Sequence, residues 1–81
     1  MQVNVSFYSY LKDLTGCPRV DQPMPEGSTL GDLVKTLGAR FPKLRPMWGS
    51  ILMAVGVDYQ DRSYFLKPGD EVSFFPPVQG G

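Results

Sequence analysis

Hydrophobic and polar residues alternate over residues 2–8. Val3, Val5 and Phe7 fall on one face, and Gln2, Asn4, Ser6 and Tyr8 on the other. A period of two predicts a half-buried strand. Leu11 to Gly16 follows as a short turn or single helical turn, stopped by Gly16. Residues 19–24 predict a second strand, which Pro23 and Pro25 restrict to a sheet edge. The period then changes. Leu30, Leu33, Val34, Leu37 and Phe41 stand at offsets 0, 3, 4, 7 and 11, the stripe of a helix. Ser28 or Thr29 can cap its start, and Thr29 and Asp32 have capping-box spacing. Asp32 and Arg40 suit the two ends of the helix dipole, and Pro42 ends the helix. Gly31 and Gly38 oppose it, each at about 1 kcal/mol relative to alanine.

Past a proline-rich loop, Pro42 to Pro46, residues 51–57 read as a buried strand. Lys67-Pro68-Gly69-Asp70 predicts a turn, because proline presets the second position and glycine supplies positive φ at the third. Val72 to Phe75 predicts a last strand, ended by Pro76-Pro77, which cannot donate to a ladder. The order strand, strand, helix, strand, strand predicts an α+β domain, a sheet with one helix across a face.

Composition narrows the function. With 81 residues the chain makes one small domain, and 42% hydrophobic residues suffice for one modest core. Cys17 is the single cysteine and histidine is absent, so no internal disulfide forms and no metal site of the usual ligands is expected. The missing histidine also excludes Ser-His-Asp and Cys-His catalysis within the chain. No glycine loop ending in Gly-Lys-Ser/Thr offers a phosphate cradle, so no bound nucleotide or other cofactor is expected. Eight basic and eight acidic residues balance, which argues against nucleic-acid binding. The start, Met1-Gln2-Val3-Asn4, lacks the features of a signal peptide. The apolar run Ile51 to Val55 is far too short to span a membrane, so no membrane role and a cytoplasmic location are expected.

The candidate chemistry lies in the last six residues, Pro76-Pro77-Val78-Gln79-Gly80-Gly81. Extended, six residues reach about 20 Å. The prolines stiffen the base of that reach, and the glycines give a tip without side chains that a narrow channel can admit. Residues 1–75 are thus expected as the domain and 76–81 as an extended tail. An α-carboxyl has a pKa of about 3.5, so it is ionised at neutral pH and a poor electrophile until activated. A separate activating enzyme is implied. Taken alone, a terminal Gly-Gly reads more readily as a frayed, functionless end.

The segment Val72-Ser73-Phe74-Phe75-Pro76-Pro77-Val78-Gln79-Gly80-Gly81 closely resembles the C-terminus of the molybdopterin synthase small-subunit family, among the ubiquitin-like sulfur carriers. Leu66 to Val72 resembles that family's turn into its last strand, and Leu11 to Gly16 its first loop. Gly56 stands where the family often has asparagine. The resemblance implies a β-grasp fold, a mixed sheet with one main helix packed on one face. It also implies a role. An ATP-dependent activating enzyme adenylates the terminal glycine, here Gly81, and a sulfur-donor protein converts it to a thiocarboxylate. The tail then enters a large subunit, in a heterotetramer with two carriers, and gives sulfur to cyclic pyranopterin monophosphate. Gly80, Gln79, Val78, Pro77 and Pro76 would be the inserted residues. The chain would be a carrier, not an enzyme by itself.

Phe74 and Phe75 must point to opposite faces of a strand. With Val72 and Phe74 inward, Phe75 faces outward beside the tail, either as a partner contact or against a loop of its own domain. Cys17 reads as structural or incidental. Lys35, Arg40, Lys43 and Arg45 read as a solvated face or a contact for an acidic partner. Asp58 and Asp61 suit a hairpin, and Met47 and Trp48 a cover for the core. A carrier for thiamine thiazole synthesis, a ubiquitin-like modifier of lysines and a passive interaction module are the alternative readings.

Overall fold

A computed structural model describes residues 1–77, so Val78, Gln79, Gly80 and Gly81 lie outside the described residues. Five strands form one sheet: β1 (Gln2–Phe7), β2 (Arg19–Pro23), β3 (Leu52–Val55), β4 (Asp58–Tyr59) and β5 (Glu71–Phe75). Their order is β2-β1-β5-β3-β4. Only β1 and β5 run parallel, with Phe7 opposite Phe74. The other neighbours are antiparallel. Helices α1 (Leu11–Thr15) and α2 (Leu30–Arg40) complete the fold with a 3₁₀ helix, Pro42–Met47. This is the β-grasp arrangement, a mixed sheet gripping one long helix.

Local chemistry explains the elements. Thr29 and Asp32 form the expected capping box of α2: the Asp32 amide donates to Thr29 Oγ1 at 3.2 Å and the Thr29 amide to Asp32 Oδ2 at 3.0 Å. Gly16 takes φ 77° and closes α1, its amide donating to Lys12 O at 2.8 Å. Leu30, Leu33, Val34 and Leu37 meet Val3, Val5, Phe7, Met53, Val72 and Phe74 in one core. Phe7 sits between Phe41 and Phe74 in edge-to-face contacts of 5.7 and 5.9 Å. Met47 and Trp48 are half-buried against this core.

Two expectations need correction. The Pro42–Pro46 stretch is not a plain loop. Pro42 opens the 3₁₀ helix, where its missing N–H has no partner to lose, and Leu44 is buried beneath it. The buried strand over 51–57 is shorter, Leu52–Val55, and only its middle residues Met53 and Ala54 are buried. Gly56 at φ 60° turns the chain straight into β4, and Val57 at the hairpin tip is 95% exposed. The left-handed region suits glycine and asparagine, the two residues resembled at that position. The two-residue β4 carries no sequence pattern long enough to be read.

Candidate functional site

The face of the sheet away from α2 has two ends of different chemistry. Alternation along β1 puts Asn4, Ser6 and Tyr8 on this face, and the register adds Arg19 and Asp21 from β2. Glu71, Ser73 and Phe75 come from β5, and Leu52 and Ala54 from β3. At one end Asn4 bridges Asp21 and Arg19, donating to Asp21 Oδ1 at 3.0 Å and accepting from Arg19 Nη2 at 2.8 Å. At the other end the residues are aromatic and apolar.

That second end is the root of the tail. Tyr8 stacks on Phe75 with ring centroids 4.8 Å apart and planes 15° from parallel. Tyr59 approaches the other side of Phe75 at 6.2 Å. Leu52 is the cross-strand partner of Phe75. Tyr8, Leu52 and Tyr59 are 46%, 37% and 69% exposed, so a continuous apolar patch faces outward. Leu52 and Tyr59 also wall a groove of about 700 Å³ beside Ile51, Met53 and the Gln60–Ser63 loop. Phe75 faces outward from the core but is half-buried, covered by its own domain's tyrosines. Pro76 and Pro77 follow it directly and are also half-buried.

Val78, Gln79, Gly80 and Gly81, four of the six residues on which the tail reading rests, lie outside the described residues. Tyr8, Leu52 and Tyr59 were not singled out from the sequence. For Tyr8 the signal was present, an aromatic ring on the polar face of an alternating strand. For Tyr59 it was absent, because β4 is too short to show alternation.

The remaining candidates are placed apart from this patch. Two of the four basic residues are engaged within the domain: Arg40 donates to Gln22 Oε1 at 2.9 Å, and Arg45 Nε to Gly38 O at 3.2 Å. Asp61 accepts from the Ser63 amide and hydroxyl, which lowers its pKa, and Asp32 is lowered by the Thr29 amide and hydroxyl. Asp61 therefore serves a local turn and Asp32 the cap of α2. Cys17 Sγ is half-buried and lies 3.8 Å from Thr15 O. No helix among the described residues is long and apolar enough to cross a membrane.

A mixed five-stranded sheet in the order β2-β1-β5-β3-β4 with one long helix packed on it defines a ubiquitin-like β-grasp protein. The chain belongs to the ThiS family, whose model matches residues 5–81. It is 33% identical over 82 residues to the molybdopterin synthase sulfur carrier subunit of Mycobacterium tuberculosis, covering all of this chain and 99% of that protein. Among solved structures it superposes on small archaeal modifier protein 1 of Haloferax volcanii with a TM-score of 0.87, at 20% identity and with 95% and 98% of the two chains covered. The fold also matches a chain in the complex of subunits 1 and 2 of molybdopterin-converting factor from Helicobacter pylori, with TM-score 0.70, 24% identity and full coverage of both chains.

Proposed function

We propose that this chain is the sulfur-carrier subunit of a molybdopterin synthase. Residues 1–75 are its docking domain and 76–81 the arm that delivers sulfur. The observation that carries this reading is the apolar platform of Tyr8, Phe75, Leu52 and Tyr59 at the root of a Pro-Pro-Val-Gln-Gly-Gly segment. A large subunit seated on that platform takes the arm into its own active site, Pro76 and Pro77 first and Gly80-Gly81 at the tip.

The chemistry belongs to the Gly81 carboxylate. The chain has no histidine and no nucleotide cradle, so a separate ATP-dependent enzyme forms the acyl-adenylate and releases pyrophosphate. A protein persulfide then displaces AMP. Reductive release leaves the thiocarboxylate on Gly81, with two electrons supplied by a thiol of the donor system. In the synthase the thiocarboxylate sulfur forms a C–S bond to cyclic pyranopterin monophosphate as a substrate oxygen leaves, and water then cleaves the Gly81 acyl–sulfur bond, leaving the sulfur on the pterin and a carboxylate on Gly81. The carrier binds no cofactor and acts in the cytoplasm.

Intact-protein mass spectrometry tests this reading. The chain is incubated with a cognate activating enzyme, ATP and a persulfide donor. Exchange of one oxygen for sulfur, mapped to Gly81, is the expected result. Adducts to lysine amines without that exchange would instead make it a protein modifier. No change, beside an activating enzyme active on another carrier, would leave a passive interaction module.

A further inference from the structure

We infer that Ser9 is a positioning residue, whose left-handed backbone holds Tyr8 flat on Phe75 and so shapes the platform that receives the large subunit. This inference rests on the proposed docking role of that platform. Among the described residues Ser9 is the only non-glycine with positive φ, at 55°. L-residues adopt that region at a steric cost, and they persist there when the surroundings over-determine the conformation.

The surroundings do so here from two sides. Upstream, the Tyr8 amide donates to Phe74 O at 3.1 Å, extending the β1–β5 ladder by one residue and keeping Tyr8 in register with Phe75. Downstream, Leu11 is completely buried at the start of α1. Its amide donates to Tyr8 O at 3.2 Å, and the Lys12 amide to Ser9 O at 3.3 Å. Within three residues the chain must present Tyr8 outward and return Leu11 to the core. A left-handed residue between them makes that reversal. The two anchors differ in strength. Burial of Leu11 is worth more than an exposed ring stack. A side chain that rejects positive φ at position 9 therefore relaxes at Tyr8, and the stack opens while the core is kept.

A series at this position tests the inference in two readouts. Gly, Asn, Ala and Val replace Ser9, in falling order of tolerance for the left-handed region. In the free chain, nuclear Overhauser contacts between Tyr8 and Phe75 report the stack. In titration calorimetry, the Kd for the large subunit reports the platform. Ser9→Gly and Ser9→Asn are expected to keep the ring contacts and the affinity. Ser9→Val is expected to lose the contacts and weaken binding about tenfold, the scale of one aromatic contact, while amide spectra of α2 and the core stay native. Should Ser9→Val not fold, Ser9→Ala against Ser9→Gly gives the same comparison at smaller amplitude. Intact ring contacts in folded Ser9→Val or Ser9→Ala would overturn the inference, as would loss of contacts in Ser9→Gly. If the contacts follow the series but Phe75→Ala leaves the Kd unchanged, the docking role fails while the backbone effect stands.

Discussion

Gly31 and Gly38 lie seven residues apart on the same side of α2, and their surroundings separate them. The Gly31 amide donates to Arg62 O at 3.0 Å, and a Cβ there would stand 3.3 Å from the same oxygen. At Gly38 the nearest atoms to a Cβ would be Arg45 Cγ at 3.7 Å and the Trp48 ring at 3.9 Å, ordinary contact distances. Gly38→Ala is therefore expected to stabilise the chain by about 0.5–1 kcal/mol through helix propensity. Gly31→Ala is expected to gain nothing, because the Arg62 loop must shift. Urea unfolding of both variants decides it, and a destabilised Gly38→Ala would mean that the Trp48 contact leaves no room. Phe75 is the other informative residue. It stands outside the core cluster but stacks on Tyr8 and lies beside the tilted ring of Tyr59. Phe75→Asp is expected to cost about 1 kcal/mol of stability and to weaken large-subunit binding by tenfold or more, on the order of a central interface aromatic. Calorimetric titration reads the second effect, and unchanged affinity would place Phe75 outside the interface.

The elements that carried a long pattern were legible in the sequence, and those set by contacts were not. Alternation over residues 2–8 gave β1 in the right phase, because one face of that strand is wholly core. The stripe from Leu30 to Leu37 and the Thr29–Asp32 spacing located α2 and its cap. The 3₁₀ helix was missed because proline is ambiguous between loop and helix start. The hairpin at Asp58 is legible from its turn residues, but the two-residue β4 is too short to show a period, and the turn at Gly56 ends β3 earlier than its apolar run suggests. The aromatic platform was half legible. Phe75 was read from its place before the prolines, but its companions come from three other strand segments that only the sheet register brings together. The cap also sets an acid limit. Asp32 is held below the ordinary aspartate pKa of about 3.9 by the Thr29 amide and hydroxyl, and Asp61 by those of Ser63. A carboxyl depressed in the folded state contributes stability that is full above its unfolded pKa and fades as pH falls through the folded one. Stability is thus expected to be flat from neutrality to about pH 5 and to decline below about pH 4. Thr29→Ala should cost about 1 kcal/mol at pH 7 and flatten part of that acid decline. Chemical unfolding at pH 7, 4 and 3 checks both. An acid decline unchanged in Thr29→Ala would assign it to other carboxylates.

At the scale of the molecule, the fold and the proposed chemistry use different parts of the chain. The core cluster is assembled from residues between Val3 and Phe74, and the sheet is closed by the parallel β1–β5 pair and the antiparallel β3–β5 pair. Truncating one buried phenylalanine there would cost about 3–5 kcal/mol, a large fraction of the stability of a domain this size. The Gly-Gly tip contributes no side chain to such a core. Removal of Gly81 is therefore expected to leave the unfolding free energy within about 0.5 kcal/mol of the full chain. It should still abolish the oxygen-for-sulfur exchange, because the activating enzyme would meet the carboxylate one residue short of its channel. Binding to the large subunit should fall far less than sulfur transfer does, since the Tyr8–Phe75 platform is intact. That split separates the two proposed functions of the chain. Exchange retained on the shortened chain would move the chemistry away from Gly81. Lost binding with a native fold would make the tip, not the platform, the main source of affinity.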